Sequence, residues 1–234
     1  MTESLKKCFA ESLGTFALVF AGTGAIVIND VTGGTVTHVG IAMTFGLVVL
    51  AMIYALGDVS GAHLNPAVTL GFLAARRFDV RQVAPYLISQ CLGAIAASLL
   101  LRCLFPQHAT LGATLPAGSA VQSFVMELVL SGILMFVILS VSTGAKERGI
   151  TAGIAVGAVI GLEALFAGPI CGASMNPARS LAPALVSGHL EHVWIYLTAP
   201  IAGALIAVLA CRCARDEGCC CSLPHDTAVA TPTH

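Results

Sequence analysis

Two copies of one short pattern decide the fold: Gly61-Ala62-His63-Leu64-Asn65-Pro66-Ala67 and Gly172-Ala173-Ser174-Met175-Asn176-Pro177-Ala178. Each copy ends in Asn-Pro-Ala and opens an apolar piece that is too short to cross a membrane. Proline is tolerated at the first position of a helix because the N–H it lacks would have no partner there. Asparagine is a favourable cap before that position. The two copies therefore predict two matching half-helices.

Six longer apolar stretches surround these two copies. A helix needs about 20 mostly apolar residues to span a bilayer. Because each half contains three spans, the second half enters the membrane from the opposite side, and the two halves form an inverted repeat. Short broken apolar segments at matching positions of such a repeat indicate a permeation site at mid-membrane. The predicted spans are approximately residues 9–27, 39–56, 83–104, 121–141, 150–167 and 193–210.

The composition excludes most other classes of protein. Of the 234 residues, 57% are hydrophobic and 10% are charged, whereas soluble domains carry roughly 25% charged residues. The chain is therefore predicted to lie in a lipid bilayer. The net charge of −1 gives no reason to expect a nucleic-acid partner. The spans contain no pattern of a catalytic triad, a phosphate-binding loop or a metal site, so we expect no enzyme, no cofactor and no metal.

The basic residues predict the orientation in the membrane. Cytoplasmic loops carry an excess of Lys and Arg, and with six crossings four basic segments fall on one side. Both termini are therefore expected in the cytoplasm, and the apolar run after Lys7 is expected to be a first span and not a cleaved signal peptide. The basic residues on the predicted cytoplasmic side are Lys6, Lys7, Arg76, Arg77, Arg81, Lys146, Arg148, Arg212 and Arg215, against Arg102 and Arg179 on the other.

Two of the three asparagines in the chain, Asn65 and Asn176, occupy the matching triplets. Further matching pieces are Ala10-Glu11-Ser12-Leu13-Gly14-Thr15-Phe16, residues 60–68 and residues 176–180. On these motifs the chain resembles the aquaporin (major intrinsic protein) family over roughly residues 11–210. The resemblance implies an all-α membrane protein with six transmembrane helices plus two re-entrant half-helices, in an inverted 3+3 repeat. It also implies a passive channel for water and small uncharged solutes, as a homotetramer in the cell membrane.

The triplets Asn65-Pro66-Ala67 and Asn176-Pro177-Ala178 carry the expected chemistry of the pore. A helix N-terminus presents about half a positive charge, and an Asn cap can accept a backbone N–H while its NH₂ group donates to the pore. Two such amides facing each other would donate to a passing water or hydroxyl, and the positive field would repel cations and protons. This is the established account of aquaporin-type pores.

Arg179 stands in the second copy where Val68 stands in the first. An Arg at membrane depth is costly, which favours a functional position, although it could instead extend to the interface. The resemblance implies that Arg179 belongs to a narrow selectivity filter near the extracellular mouth, together with Phe45, Ala164 and Ala173. A one-residue shift in this assignment would replace Ala164 by a neighbouring residue, Glu163 or Leu165.

The filter departs from two known patterns. Water-specific members of the family typically have His where Ala164 falls, and glycerol channels typically have two filter aromatics and an Asp where this chain has Ser180. Residues 165–181, LFAGPICGASMNPARSL, look most like nodulin-like intrinsic proteins and their bacterial relatives. That likeness implies passage of water, glycerol-like polyols and neutral metalloid hydroxides. A water-selective aquaporin is the alternative, and a secondary transporter is the alternative from another class.

Four further polar residues in or beside the spans need an explanation. Glu11 and Glu127 each precede one copy of the repeat, and the resemblance implies that each accepts hydrogen bonds from the adjacent re-entrant loop, although a proton relay is an alternative. Glu163 has no symmetric partner, and we expect it to face another helix or a neighbouring subunit. His63 is expected either to line the inner vestibule or to pack as a neutral side chain.

The expected domain organisation is one channel domain, residues 1–213, with a cytoplasmic tail. The inverted repeats cover about residues 9–115 and 121–213, and residues 214–234 form a cysteine-containing tail that is expected to be disordered. The clustered cysteines suggest thiolate binding of a soft metal or arsenite, or juxtamembrane acylation. A polar tail without a role is the simpler alternative, because no ligand spacing of a closed metal site is present.

Overall fold

The computed structural model describes residues 1–142 and 146–214. The cysteine-containing tail predicted for residues 214–234 therefore lies outside the described residues, apart from Ala214. Within them the chain folds into helices only, and the bounds are α1 Glu3–Val31, α2 Thr37–Ser60, α3 Pro66–Ala74, α4 Val80–Leu104, α5 Ala120–Val141, α6 Lys146–Cys171, α7 Pro177–Ser187 and α8 Val193–Ala214.

Six of these helices, all except α3 and α7, are long and apolar enough to span a bilayer. The predicted fold class, six spans and two half-helices, is confirmed. The helices extend beyond the predicted spans because helical hydrogen bonding continues into the polar residues at the membrane surface. For example, α1 begins at Glu3, where the Thr2 hydroxyl caps the helix by accepting the N–H of Leu5, six residues before the predicted span. Helix α2 ends at Ser60, and the next residue, Gly61, has a φ of 85° that turns the chain into the re-entrant loop.

The inverted repeat is visible in how the helices pack. Helix α1 packs against α2 and α4, and α5 packs in the same way against α6 and α8. One glycine in each half marks the closest approach between two helices. A Cβ atom at Gly93 would overlap the carbonyl oxygen of Ser12, and one at Gly203 would overlap that of Leu128. Ser12 and Leu128 directly follow the two span glutamates, so the same helix crossing is built twice.

The half-helices α3 and α7 begin as the triplets predict. The side-chain oxygen of Asn65 accepts the N–H of Ala67 at 2.8 Å, and that of Asn176 accepts the N–H of Ala178 at 3.0 Å. Each proline occupies the first helical position, where no donor is lost. Both short helices therefore have a capped N-terminus inside the molecule, between the longer helices.

Candidate pore and selectivity filter

The two half-helices meet tip to tip through their capping asparagines. The NH₂ group of Asn65 donates to the carbonyl of Met175 at 2.7 Å, and that of Asn176 donates to the carbonyl of Leu64 at 2.9 Å. Each amide thus fixes the re-entrant loop of the other half. A primary amide has two N–H bonds, so one N–H of each asparagine is left to donate into the cavity that both residues line.

The two loops before the asparagines contain a repeated backbone distortion. Leu64 and Met175 have φ values of 51° and 53°, and Ala62 and Ala173 have values of 46° and 40°. Positive φ is costly for residues with a Cβ atom, about 1–2 kcal/mol each. This conformation turns backbone N–H groups towards the span glutamates and directs the carbonyl groups of Leu64 and Met175 towards the opposite asparagine.

The glutamates of α1 and α5 bind these loops. One carboxylate oxygen of Glu11 accepts the N–H of His63 at 2.9 Å and the other accepts that of Leu64 at 2.7 Å. Glu127 accepts the N–H groups of Ser174 and Met175 at 2.7 and 2.8 Å. Both glutamates are completely buried. Hydrogen bonds to a charged acceptor are stronger than neutral ones, so they offset the strain of the two loops.

One continuous cavity of about 110 Å³ passes between the halves, several times the roughly 10–15 Å³ that one water needs. Its walls are mostly apolar, and the polar side chains among them include the two asparagines, Arg179 and His63. The predicted pore residues that line it are Phe45, His63, Asn65, Ala164, Ala173, Asn176 and Arg179.

Arg179 is the largest buried side chain among the described residues, and only 2% of it is exposed. One terminal nitrogen donates to the carbonyl of Gly112 at 2.9 Å. The guanidinium carbon lies 5.1 Å from the ring centroid of Phe45, within the range of a cation–π contact. These contacts hold the cation on one wall of the cavity, so Arg179 is fixed inside the protein and does not extend to the interface.

Ala164 and Ala173 present only methyl groups to the same cavity. The neighbours of Ala164 point elsewhere: Glu163 is buried outside the cavity lining, and Leu165 is 43% exposed on the outer surface of the helix bundle. Of these three residues, Ala164 alone lines the cavity, as the assignment from the sequence expects.

His63 both lines the cavity and packs against aromatic rings. Its Nδ1 atom lies 3.1 Å from the hydroxyl of Thr69, and its ring stacks on Phe72 with centroids 4.7 Å apart. His63 also borders a wider basin of about 660 Å³ whose lining includes the basic residues Lys6, Lys7 and Arg77. The two expectations for His63 are therefore compatible.

A comparison with known families identifies this arrangement. The family model of major intrinsic proteins matches residues 1–211. The chain belongs to this family. Its relatives include the aquaporin NIP1-1 of Oryza sativa subsp. japonica, 50% identical over 86% of this chain and 71% of that protein. Nodulin-26 of Glycine max is 46% identical over 86% of this chain and 74% of that protein.

A solved structure supports the same conclusion. The X-ray structure of the aquaglyceroporin from Plasmodium falciparum aligns with a TM-score of 0.77 and 28% identity, covering 87% of this chain and 93% of that chain. The aquaporin fold and the likeness to nodulin-like intrinsic proteins are therefore confirmed. As a major intrinsic protein, the chain is a multi-pass membrane channel for water and small neutral solutes, and it is not an enzyme.

Two residues that support the pore of this major intrinsic protein, Gln90 and Tyr86, were not found from the sequence. Gln90 donates to Glu11 at 2.8 Å and to the hydroxyl of Thr69 at 3.0 Å, and Tyr86 donates to the carbonyl of Ser60 at 2.8 Å. A buried Gln and Tyr in an apolar span were the available signal, because buried polar groups are nearly always hydrogen-bonded.

His38 is a further supporting residue outside the predicted set. Pro169 lies inside α6 and has no N–H to donate to the carbonyl of Leu165, four residues earlier. The Nε2 atom of His38 lies 2.6 Å from that carbonyl oxygen and replaces the missing donor. Helix α6 continues past Pro169 to Cys171. The carbonyl that His38 satisfies belongs to Leu165, the residue next to Ala164.

Proposed function

We propose that this channel passes water together with larger uncharged solutes, namely glycerol-like polyols and neutral metalloid hydroxides. The observation that carries the proposal is the presence of Ala164 and Ala173 on the cavity wall shared with Phe45 and Arg179. Two of four filter positions bear one methyl group each. A filter with His in place of Ala164 would be narrower and would present an additional polar nitrogen.

The distribution of polar groups supports the same solutes. Asn65, Asn176 and Arg179 provide hydrogen-bond donors, and apolar side chains such as Leu18 and Ile160 form much of the remaining wall. A polyol has hydroxyl groups that accept from the donors and a carbon skeleton that matches the apolar wall, which is the usual composition of a selective small-molecule site. One of the matched structures is that of an aquaglyceroporin.

Exclusion of ions and protons is part of the proposal. The N-termini of α3 and α7 meet at the cavity, and each carries a partial positive charge. Arg179 adds a full positive charge on the wall. None of the residues lining the cavity in the described part of the chain is Asp or Glu. A cation would therefore lose its hydration without gaining a compensating carboxylate.

The assembly and membrane orientation are also proposals. We propose a homotetramer in the cell membrane with both termini in the cytoplasm, formed by a channel domain of residues 1–213 with repeats at about 9–115 and 121–213. The basin beside His63 has several Lys and Arg side chains in its lining, in agreement with the positive-inside rule. Native mass spectrometry of the purified protein tests the tetramer, and protease accessibility in oriented vesicles tests the orientation.

The proposed solutes are tested by stopped-flow light scattering on proteoliposomes. Water, glycerol and arsenous acid fluxes are compared for the wild type, Ala164→His and Ala152→His. Ala152 lines the same cavity twelve residues earlier on α6, about 18 Å along the helix axis, so it controls for the added imidazole. We expect the wild type and Ala152→His to pass all three solutes, and Ala164→His to retain water and lose the larger solutes. A wild type that passes only water would refute the wide filter and favour a water-selective channel.

A further inference from the structure

Glu163 is a buried carboxyl group that the pore as described does not use. It lies on α6 next to Ala164 and is 1% exposed. Neither of its carboxyl oxygens has a hydrogen-bond partner among the described residues. Burying a carboxyl group without partners is strongly unfavourable, so its position requires an explanation.

A comparison of the two halves gives that explanation. Glu11 has four donors: the N–H groups of His63 and Leu64, the Ser60 hydroxyl at 2.8 Å and the Gln90 amide at 2.8 Å. Glu127 has the two matching N–H groups of its loop. The second half therefore lacks two strong side-chain donors that the first half has.

The residues that replace these donors follow from the repeat. Cys171 stands five residues before Asn176, as Ser60 does before Asn65, and a thiol is a weaker donor than a hydroxyl. Pro200 stands three residues before the contact glycine Gly203, as Gln90 does before Gly93. Proline has no side-chain donor, so Glu127 has no equivalent of the Gln90 amide.

Unpartnered polar groups collect at this place in the second half. Glu163 and Glu127 interact electrostatically, as do Tyr196 and Glu127. The hydroxyl of Tyr196 is close to that of Ser123, yet neither makes a hydrogen bond of standard geometry with the described residues. In the first half the corresponding Tyr86 is bonded to Ser60. Ser123 lies on α5 one turn before Glu127, and Glu163 and Tyr196 lie on α6 and α8, which both pack against α5.

We propose that Glu163, Glu127, Tyr196 and Ser123 bind a buried water molecule behind the selectivity filter. The water donates one hydrogen to an oxygen of each carboxyl group and accepts from the two hydroxyls, which gives it four partners, within the usual range for buried water. It supplies to Glu127 the hydrogen bond that Gln90 supplies to Glu11. Glu163 is thereby a positioning residue: it acts through Glu127 on the loop that carries Ala173 and Asn176.

The chain itself provides the variants for a test. Met52 stands thirteen residues before Asn65, as Glu163 does before Asn176, so Glu163→Met installs the residue of the first half. Glu163→Gln keeps an oxygen acceptor of the same shape. The double variant Glu163→Met with Pro200→Gln transfers the amide donor of the first half to the second.

The readout is the ratio of glycerol to water permeability in proteoliposomes at matched protein density. Loss of one buried hydrogen bond corresponds to about fivefold, and we expect Glu163→Met to change the ratio by about that factor. Glu163→Gln and the double variant are expected to stay close to the wild type. A cryo-EM map of the wild type at high resolution is expected to show a density peak within hydrogen-bond distance of Glu163 and Tyr196.

Three results would overturn the proposal. The first is a Glu163→Met channel with wild-type permeability and selectivity, and the second is a high-resolution map without the peak. If Glu163→Met does not accumulate as folded protein, the double variant decides the matter, because the proposal requires Pro200→Gln to restore accumulation. Failure to restore it is the third. The permeability ratio rests on the proposed passage of glycerol, whereas the density peak and the accumulation of the double variant do not, so failure of the proposed solutes and failure of the water site can be distinguished.

Discussion

Substitution of Gly22 by alanine tests the position of the aromatic filter residue. Gly22 lies on α1 against the ring of Phe45, and a Cβ atom there would lie 2.5 Å from Cδ1 and 2.6 Å from Cζ of that ring. Carbon atoms in contact are about 3.5–4.0 Å apart, so the ring must move by about 1 Å. Helix α1 is behind the ring and the cavity is in front of it. The displaced ring of Phe45 therefore moves into the cavity that Ala164 also lines and narrows it.

The size of the effect follows from this overlap. Forcing an extra methyl group into this packed site costs about 1–3 kcal/mol of folding stability. The barrier to passage rises for a separate reason, the narrower opening, and each increase of about 1.4 kcal/mol in that barrier slows passage about tenfold. We expect Gly22→Ala to reduce glycerol flux about tenfold or more in proteoliposomes, with a smaller loss of water flux because water needs a narrower opening.

Gly24→Ala is the matched control for this experiment. It lies two residues further along α1, where the nearest atom to a new Cβ, in Leu101, is 3.4 Å away. This variant is expected to fold and to conduct like the wild type, since alanine is favoured over glycine in a helix. A folded Gly22→Ala channel with wild-type glycerol flux would show that Phe45 does not limit the pore.

Two further predictions concern helix packing and charge exclusion. The new Cβ atom of Gly203→Ala would overlap the carbonyl oxygen of Leu128 and should prevent accumulation of folded protein, whereas Gly132→Ala, whose nearest neighbour atom is 3.5 Å away, should be tolerated. Size-exclusion profiles in detergent distinguish the two variants, and a well-folded Gly203→Ala protein would contradict the packing argument. Arg179→Val gives the second copy the residue that Val68 provides in the first, and we expect this variant to retain the flux of neutral solutes and to admit protons. A pH-sensitive dye in proteoliposomes measures the proton leak. An unchanged proton flux would show that Arg179 is not the barrier to protons.

Much of the fold could be predicted because its main determinants are local. Apolar runs of about 20 residues show the spans, and the Asn-Pro pairs show where the half-helices begin. The ends of the spans were less predictable. Helix α6 runs through Pro169 to Cys171, beyond the predicted end at residue 167. In the structure His38 satisfies the carbonyl that Pro169 leaves free. This contact joins two distant parts of the chain, so hydropathy could not show that the helix continues past the proline.

The pore residues were predictable in a different way. Asn65 and Asn176 could be found because they stand in matching positions of the repeat, and Arg179 because it is a charged residue where the first copy has Val68. The bonds from each asparagine to the opposite loop could not, because they join residues more than one hundred positions apart. Nor could Gln90, since a polar residue in a span shows only that it needs a partner and does not identify the partner.

Several differences between the two halves lie around the re-entrant loops that carry the asparagines. The helix crossings at Gly93 and Gly203 tolerate no divergence, because a Cβ atom at either position would overlap a backbone carbonyl. Around the loops the halves differ: Gln90 donates to the glutamate of the first half, whereas the second half carries Arg179 and Glu163, which has no hydrogen-bond partner in the part of the chain that the structure describes. The second loop has fewer protein donors on its glutamate, so a substitution beside it breaks fewer direct hydrogen bonds. The second half is therefore where changes in sequence can alter selectivity at the least cost in stability.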